Sequence, residues 1–313
     1  MLRFALFAIA GLAVAAGLVA AEPGFTWVEA EGQLNLTENG KPVLTYQKGM
    51  KLANGAPEMK RRAGYVHPLY APNGAVVTDD FPRDHWHHRG VFWAWQAVKY
   101  QGVTRDHWTL TGGVLTKPEK SSAKSGKEGL LDVTSGWFFD GQRIVNESVS
   151  LRVEPVQGTS RKLHFAIRLE AVGEPVELTG ELANKKGYGG FSVRFAPREN
   201  TVVRTDKGVE AKDTDMVPHP WAELEATYGA KANGAKANGA KANGAKANGA
   251  KANGGKRAAL RIDDSSSNPG FPNGWCLRNY GFLGVNYPGL SALKLEKGKP
   301  LTLSYTVTVR SVE

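Results

Sequence analysis

The chain is short of cysteine, of helical periodicity and of long apolar runs, and each shortage removes a class of protein. Its single cysteine, Cys276, has no partner within the chain, which excludes an internal disulfide framework and a cysteine-built metal cluster. Flanked by Trp275 and Leu277, Cys276 reads as a buried, inert thiol. Beyond residue 21 no stretch is long and apolar enough to cross a bilayer. There is no Gly-x-Ser-x-Gly elbow, no phosphate-cradling glycine loop and no dinucleotide fingerprint, so nucleotide hydrolysis and hydride transfer have no footing. The formal net charge of +10 is also less than it looks. Arg3 belongs to a leader and five lysines belong to a repeat, which leaves about +4 on the body, well mixed with acids. Without a basic helix or an aromatic-basic stripe, nucleic acid is not an expected partner.

Residues 1–21 have the parts of an export signal. Arg3 is the positive start, Phe4 to Val19 is almost unbroken apolar sequence, and Val19-Ala20-Ala21 is a small-residue cleavage site. The alternative is a retained membrane anchor, although the run is slightly short for a span and rich in Ala and Gly. Cleavage implies a periplasmic or secreted body over residues 22–313, read as a single domain with no stable membrane span. One segment interrupts it. Lys-Ala-Asn-Gly-Ala recurs from Lys231 and ends in Lys-Ala-Asn-Gly-Gly at Gly255. Glycine at every fifth position and no bulky apolar group leave nothing for a core to hold. The repeat over 231–255 therefore reads as a flexible insertion in a loop, and its removal should spare the fold because long surface insertions cost little closure entropy.

The rest is rich in β-branched and alternating runs between Gly, Pro, Asn and Asp turns. Strands are predicted over 26–31, 33–37, 43–47, 91–98, 130–138, 144–155, 163–171, 176–182, 190–195, 282–286 and 301–310. Asn39-Gly40 and Asp140-Gly141 each sit between strand-like runs, a strong hairpin signal. From Leu163 to Glu170 the polar residues alternate, so one face is wet, and His164 falls on it. The fold class is all-β: a large, mainly antiparallel β-sandwich of two packed sheets, with a closed barrel as its rival.

The densest chemistry lies in Asp84-His85-Trp86-His87-His88-Arg89-Gly90, which holds three of the seven histidines. Histidine changes charge or binds metal near neutral pH. In an extended segment His85 and His87 would share a face opposite Trp86 and His88. A His-x-His pair can offer two imidazoles to a metal, with a third ligand from His67, Asp79, Asp80, Asp84, His107 or His219. Two further readings stay open: a metal-free pocket in which His85, His87 and His88 move protons or bond an oxygen-rich ligand, and a purely structural polar cluster. No cofactor is indicated. Nearby Trp93, Trp95 and Trp108 offer faces for stacking on a sugar ring, against the bland alternative of core packing. Arg89 beside Asp84 is either a ligand contact or a structural bridge. Arg194, on a glycine-bearing strand, is suited to clamp a carboxylate or donate to hydroxyls, or else is a strand-edge arginine. Asn268 and Arg278 are further candidates to complete a polar cleft, with turn bonding as Asn268's plainer role.

This order of motifs resembles a bacterial family of unknown function, DUF6807, also labelled methane oxygenase PmoA-like. The resemblance rests on the 84–90 block with Trp108, then Gly189-Gly190 with Arg194, then Asp264 to Pro269, Trp275 and Arg278. It spans about residues 33–309. The chain departs from the family pattern at Trp86, where proline is usual, and at Ser265, where histidine is usual. The resemblance implies an exported protein with a sandwich like those that handle sugars. The oxygenase label fits poorly, because a membrane monooxygenase subunit would need several spans. The expected function is an exported carbohydrate-active protein, a lyase, hydrolase or epimerase on a sugar or modified glycoside, with a carbohydrate as its small-molecule partner. His67, Arg89, Trp93, Trp108, Arg194, Asn268 and Arg278 would bind substrate and His85, His87 and His88 would do chemistry. A non-enzymatic carbohydrate-binding or envelope-associated module is the alternative. No clean carboxylate pair supports conventional two-acid glycoside hydrolysis.

Overall fold

Every strand pairing in the computed structural model is antiparallel. The structure describes residues 24–229 and 255–313, so the leader and all but the last glycine of the repeat lie outside the described residues. The first nine-stranded sheet runs from Phe25–Ala30 through Gln33–Glu38, Lys41–Gln47, Tyr65–Leu69, Val91–Trp95, Gly189–Arg194, Phe282–Asn286 and Gly274–Arg278 to Thr214–Pro218. The second, also of nine strands, runs from Gly208–Val209 through Arg198–Thr205, Trp221–Tyr228, Lys256–Asp264, Leu301–Ser311, Ser160–Ala171, Gln142–Val153 and Gly129–Phe139 to Leu115–Lys124. A small third sheet joins Leu293–Leu295, Val176–Thr179, Ala97–Tyr100 and Val103–Arg105. The only helical turn among the described residues is Glu58–Lys60.

Local chemistry explains the hairpins. Asn39 and Gly40 both take positive φ, 50° and 76°, and so do Asp140 and Gly141, at 47° and 85°. That is the backbone of a two-residue turn whose twist matches its strands, and Glu38 pairs with Lys41 and Phe139 with Gln142 across them. The predicted run 91–98 breaks into Val91–Trp95 and Ala97–Tyr100, which belong to different sheets. Strand Leu115–Lys124 carries Pro118, a register shift beside it and mostly polar residues. These are edge-strand features that blunt further pairing, and they hide the strand from an apolar pattern.

The period-2 alternation seen in Ser160–Ala171 holds residue by residue, with Leu163, Phe165, Ile167 and Leu169 buried. One hydrophobic core joins the two large sheets, with Trp93, Trp95, Phe191 and Val193 from the first meeting Trp137, Phe165, Leu260 and Tyr305 from the second. Tens of such side chains out of water supply most of the driving force, at roughly 25 cal/mol per Å² of apolar surface. The first sheet also buries a second, smaller apolar set on its opposite face: Tyr65, Phe92, Ala94, Cys276 and Phe282, under Trp108. That outer face carries the histidine block.

Candidate functional site

Strand alternation sorts the residues of this region. In Val91–Trp95 the odd positions enter the core and Phe92 and Ala94 face outward; in Gly189–Arg194, Phe191 and Val193 enter and Ser192 and Arg194 face outward. The histidine block is not an added strand. It is a pair of turns laid over the outer face, with His85 N–H donating to the Pro82 carbonyl (2.9 Å) and His88 N–H to the His85 carbonyl (2.8 Å). The expected opposition of His85 and His87 to His88 therefore does not arise, because turns, unlike strands, gather neighbouring side chains.

Arg89 fixes these turns from below. Its Nη1 donates to the carbonyls of Trp86 and His88, both at 2.7 Å, and its Nη2 to the carbonyl of Lys60. The guanidinium lies 3.5 Å from the centroid of the Phe81 ring and is fully buried. Phe81 itself has φ of 51°, a costly backbone for a bulky residue that persists only where its surroundings enforce it. Asp80 supplies the countercharge, 3.6 Å from Arg89 Nε, and accepts from Tyr65 Oη at 3.0 Å. Gly90 is required at the exit, since a Cβ there would run into the Val66 carbonyl.

The three imidazoles meet in one aromatic nest. His85 and His88 stack with centroids 4.6 Å apart, and His85 also stacks on Tyr280 at 5.2 Å. His87 meets His88 edge-on at 4.5 Å, and Trp108 and Phe282 pack against His88 from two sides. Tyr188 touches both Trp108 and Phe282. Polar groups ring the nest. Arg194 Nη2 donates to both oxygens of Asp84, at 3.0 and 2.8 Å, and the same guanidinium sits 4.9 Å from the Tyr280 ring. Asp84 Oδ2 also lies 3.0 Å from His85 Nδ1, off the line of a good hydrogen bond. On the far side Arg278 Nε donates to Tyr188 Oη at 3.0 Å, its Nη1 donates to the Thr214 carbonyl, and its Nη2 pairs with Asp215.

Burial sets the charge states. It pushes the His87 pKa down to about 3, helped by the positive charges of Lys60, Arg89 and Arg62, and drives that of His88 well below the ordinary value for the same reason. Both rings are neutral at physiological pH. Burial raises the Asp84 pKa, but the hydrogen bonds and charge of Arg194 outweigh it and hold the carboxyl below its ordinary value. The result is an ionised carboxylate beside His85, an arrangement able to orient an imidazole and stabilise its protonated form.

Several nominated residues lie elsewhere. Trp93 is buried in the main core, donates from Nε1 to Glu147 Oε2 at 2.8 Å and stacks on Phe191. Asn268 is consumed by Asp264 and the main chain of Ser304, its plainer turn role. Arg89 is sealed beneath the histidine turns as their scaffold. His67 pairs with Thr78 Oγ1 at 3.0 Å, and burial pushes its pKa down to about 4. His107 bonds Thr116 Oγ1 against the core residue Trp137, and His219 bonds Asp206. Among the described residues no set of three His, Cys, Asp or Glu side chains is placed to hold a metal ion. Ser265 lines a cleft of about 350 Å³ with His164, Ser304 and Tyr305. Cys276 is buried, and burial pushes its thiol up to about 11.

Sequence reasoning missed Tyr280, Tyr188 as an arginine partner, Phe282 and Asp215. Only proximity in the sheet reveals them: pairing sets Phe282 opposite both Arg194 and Arg278, and Asp215 opposite Cys276.

Fold and site together describe an antiparallel two-sheet protein with an aromatic, histidine-bearing outer face bounded by two arginine–carboxylate pairs. The chain belongs to the family of unknown function DUF6807, whose model matches residues 33–313. A search of curated proteins finds no match. No helix among the described residues is long and apolar enough to cross a membrane.

Proposed function

We propose that the protein is exported to the periplasm or beyond and acts on a sugar or modified glycoside at the outer face of the first sheet. One observation carries this reading: the 84–88 turns, Tyr188, Arg194 and the Arg278–Phe282 segment bring imidazoles, arginines, an ionised carboxylate and an exposed aromatic ring to a single face. An oxygen-rich ring offers hydroxyls to the first three and an apolar side to Tyr280, which is 40% exposed. In this reading His85, partly exposed and beside Asp84, moves the proton. His87 and His88, held neutral, bond hydroxyls instead, since a base with so low a pKa has little affinity for a proton at neutral pH. Arg194 and Arg278 stabilise developing negative charge on oxygen.

The second reading is carbohydrate binding without turnover at a cleft rather than at the nest: clefts of about 840, 620, 350 and 750 Å³ lie elsewhere, none of them lined by His85, His87 or His88. Chromatographic and ultraviolet assays of the protein and of His85→Ala against plain sugars, glycosides and oxidised glycosides decide between them. Turnover of one class, reduced at least about a hundredfold in the variant, supports catalysis. Equal background in both rejects it, and saturable binding without turnover establishes the second reading.

A further inference from the structure

The polar atoms left over at this face are unequal in kind. Arg194 is 7% exposed, and once Nη2 has bonded Asp84 its Nε and Nη1 are buried with no acceptor. Ser192, one outward position along the same strand, is fully buried with its Oγ unpartnered, and His88 Nδ1 is likewise without a partner. The guanidinium nitrogens can only donate, and the hydroxyl and a neutral imidazole N–H can donate too. Against them stands the Asn286 carbonyl oxygen as an unpartnered acceptor near the floor, where its amide donates to Cys276. Buried donors without acceptors are costly, about 1–3 kcal/mol each, and call for an occupant.

The fixed charges point the same way. The cations nearest His87 and His88 are Lys60, Arg62, Arg89 and Arg194, which disfavour a further proton there, with Asp80 against Arg89 and Asp84 against Arg194. Asp84 is turned to Arg194, and Asp215 to Arg278. The nest behind the Tyr280–His85 stack is thus rich in donors, and its His87 and His88 rings stay uncharged. Such a site is built for negative oxygen.

We infer that the ligand of this face is anionic, a sugar acid or other carboxylate-bearing glycoside whose carboxylate is received by the free Nε and Nη1 edges of Arg194. This rests on the carbohydrate reading above and narrows it. The Tyr280 ring lies over the guanidinium at 4.9 Å, so entry requires that ring to swing outward.

Calorimetric titration of the intact protein with glucuronate and galacturonate, and with glucose and galactose as neutral counterparts, tests it. The acids should bind at least about tenfold more tightly at low salt, and the margin should shrink as salt rises. Arg194→Gln should abolish the margin and Arg194→Lys should keep part of it. The comparison within the unaltered protein holds even if a variant folds poorly. Equal binding of acid and neutral sugars overturns the anionic assignment and leaves the carbohydrate reading standing. No binding of either kind overturns both.

Discussion

His85 and His88 stack face to face, their centroids 4.6 Å apart and their planes 7° from parallel, and the outer side of His85 continues the stack onto Tyr280. Two imidazolium ions could not share that contact. The arrangement therefore depends on at least one ring staying neutral, and the burial of His88 ensures it.

That dependence gives stability a pH slope of definite sign. His67, His87 and His88 all have folded pKa values below that of an exposed histidine, near 4 and 3 for the first two. Below about pH 6.5 the unfolded chain takes up protons that the folded chain refuses, so their contribution is complete above that pH and is lost as pH falls toward 4. Denaturation midpoints should drop steadily from pH 7 to pH 4, and His67→Gln should flatten part of the slope. A midpoint constant across this window would contradict the neutral-ring account.

Arg89 should matter to stability more than to ligand chemistry directly. Replacing it with methionine keeps much of the bulk but frees three carbonyls and removes one of the two cations beside buried Asp80, leaving Lys51 at 3.1 Å. A loss of about 3–5 kcal/mol is expected by urea unfolding, with hydrogen exchange rising first at residues 84–90. An unchanged unfolding midpoint would show that the turns hold themselves.

Trp93 offers the opposite contrast. Phe at this position removes one of the two indole donors that hold Glu147 Oε2, the other coming from Trp137 at 2.9 Å. Burial already raises the pKa of Glu147, so losing a donor should cost about 1–3 kcal/mol. Ligand affinity should be unaffected, as measured by the same titrations used for the site, because the indole lies on the core side of the sheet. Weakened binding with unchanged stability would place Trp93 at the ligand after all.

The fold was legible where backbone chemistry is local. Asn39-Gly40 and Asp140-Gly141 turned the chain where their φ preferences required, and alternation from Leu163 to Glu170 identified a two-faced strand. Leu115–Lys124 was not legible, because an edge strand is selected for polarity and interruption rather than for burial. The site was half legible. A run of three histidines declares itself in any reading, and Arg194 is marked by the glycines before it. Arg89 and Trp93 carry the same residue types as binding groups, however, and packing alone sets them apart: Arg89 is sealed under the turns and Trp93 lies on the core side of the sheet. Tyr280 leaves no mark in the sequence beyond an aromatic beside a glycine, since its partners His85 and Arg194 are remote along the chain.

Arg89 grips main-chain oxygens, and the chain supplies those whatever side chains stand at 86 and 88. The side chain at 86 can therefore be exchanged without remodelling the support beneath it. The clasp and what the turns display are thus separable, one set by backbone oxygens and the other by side chains.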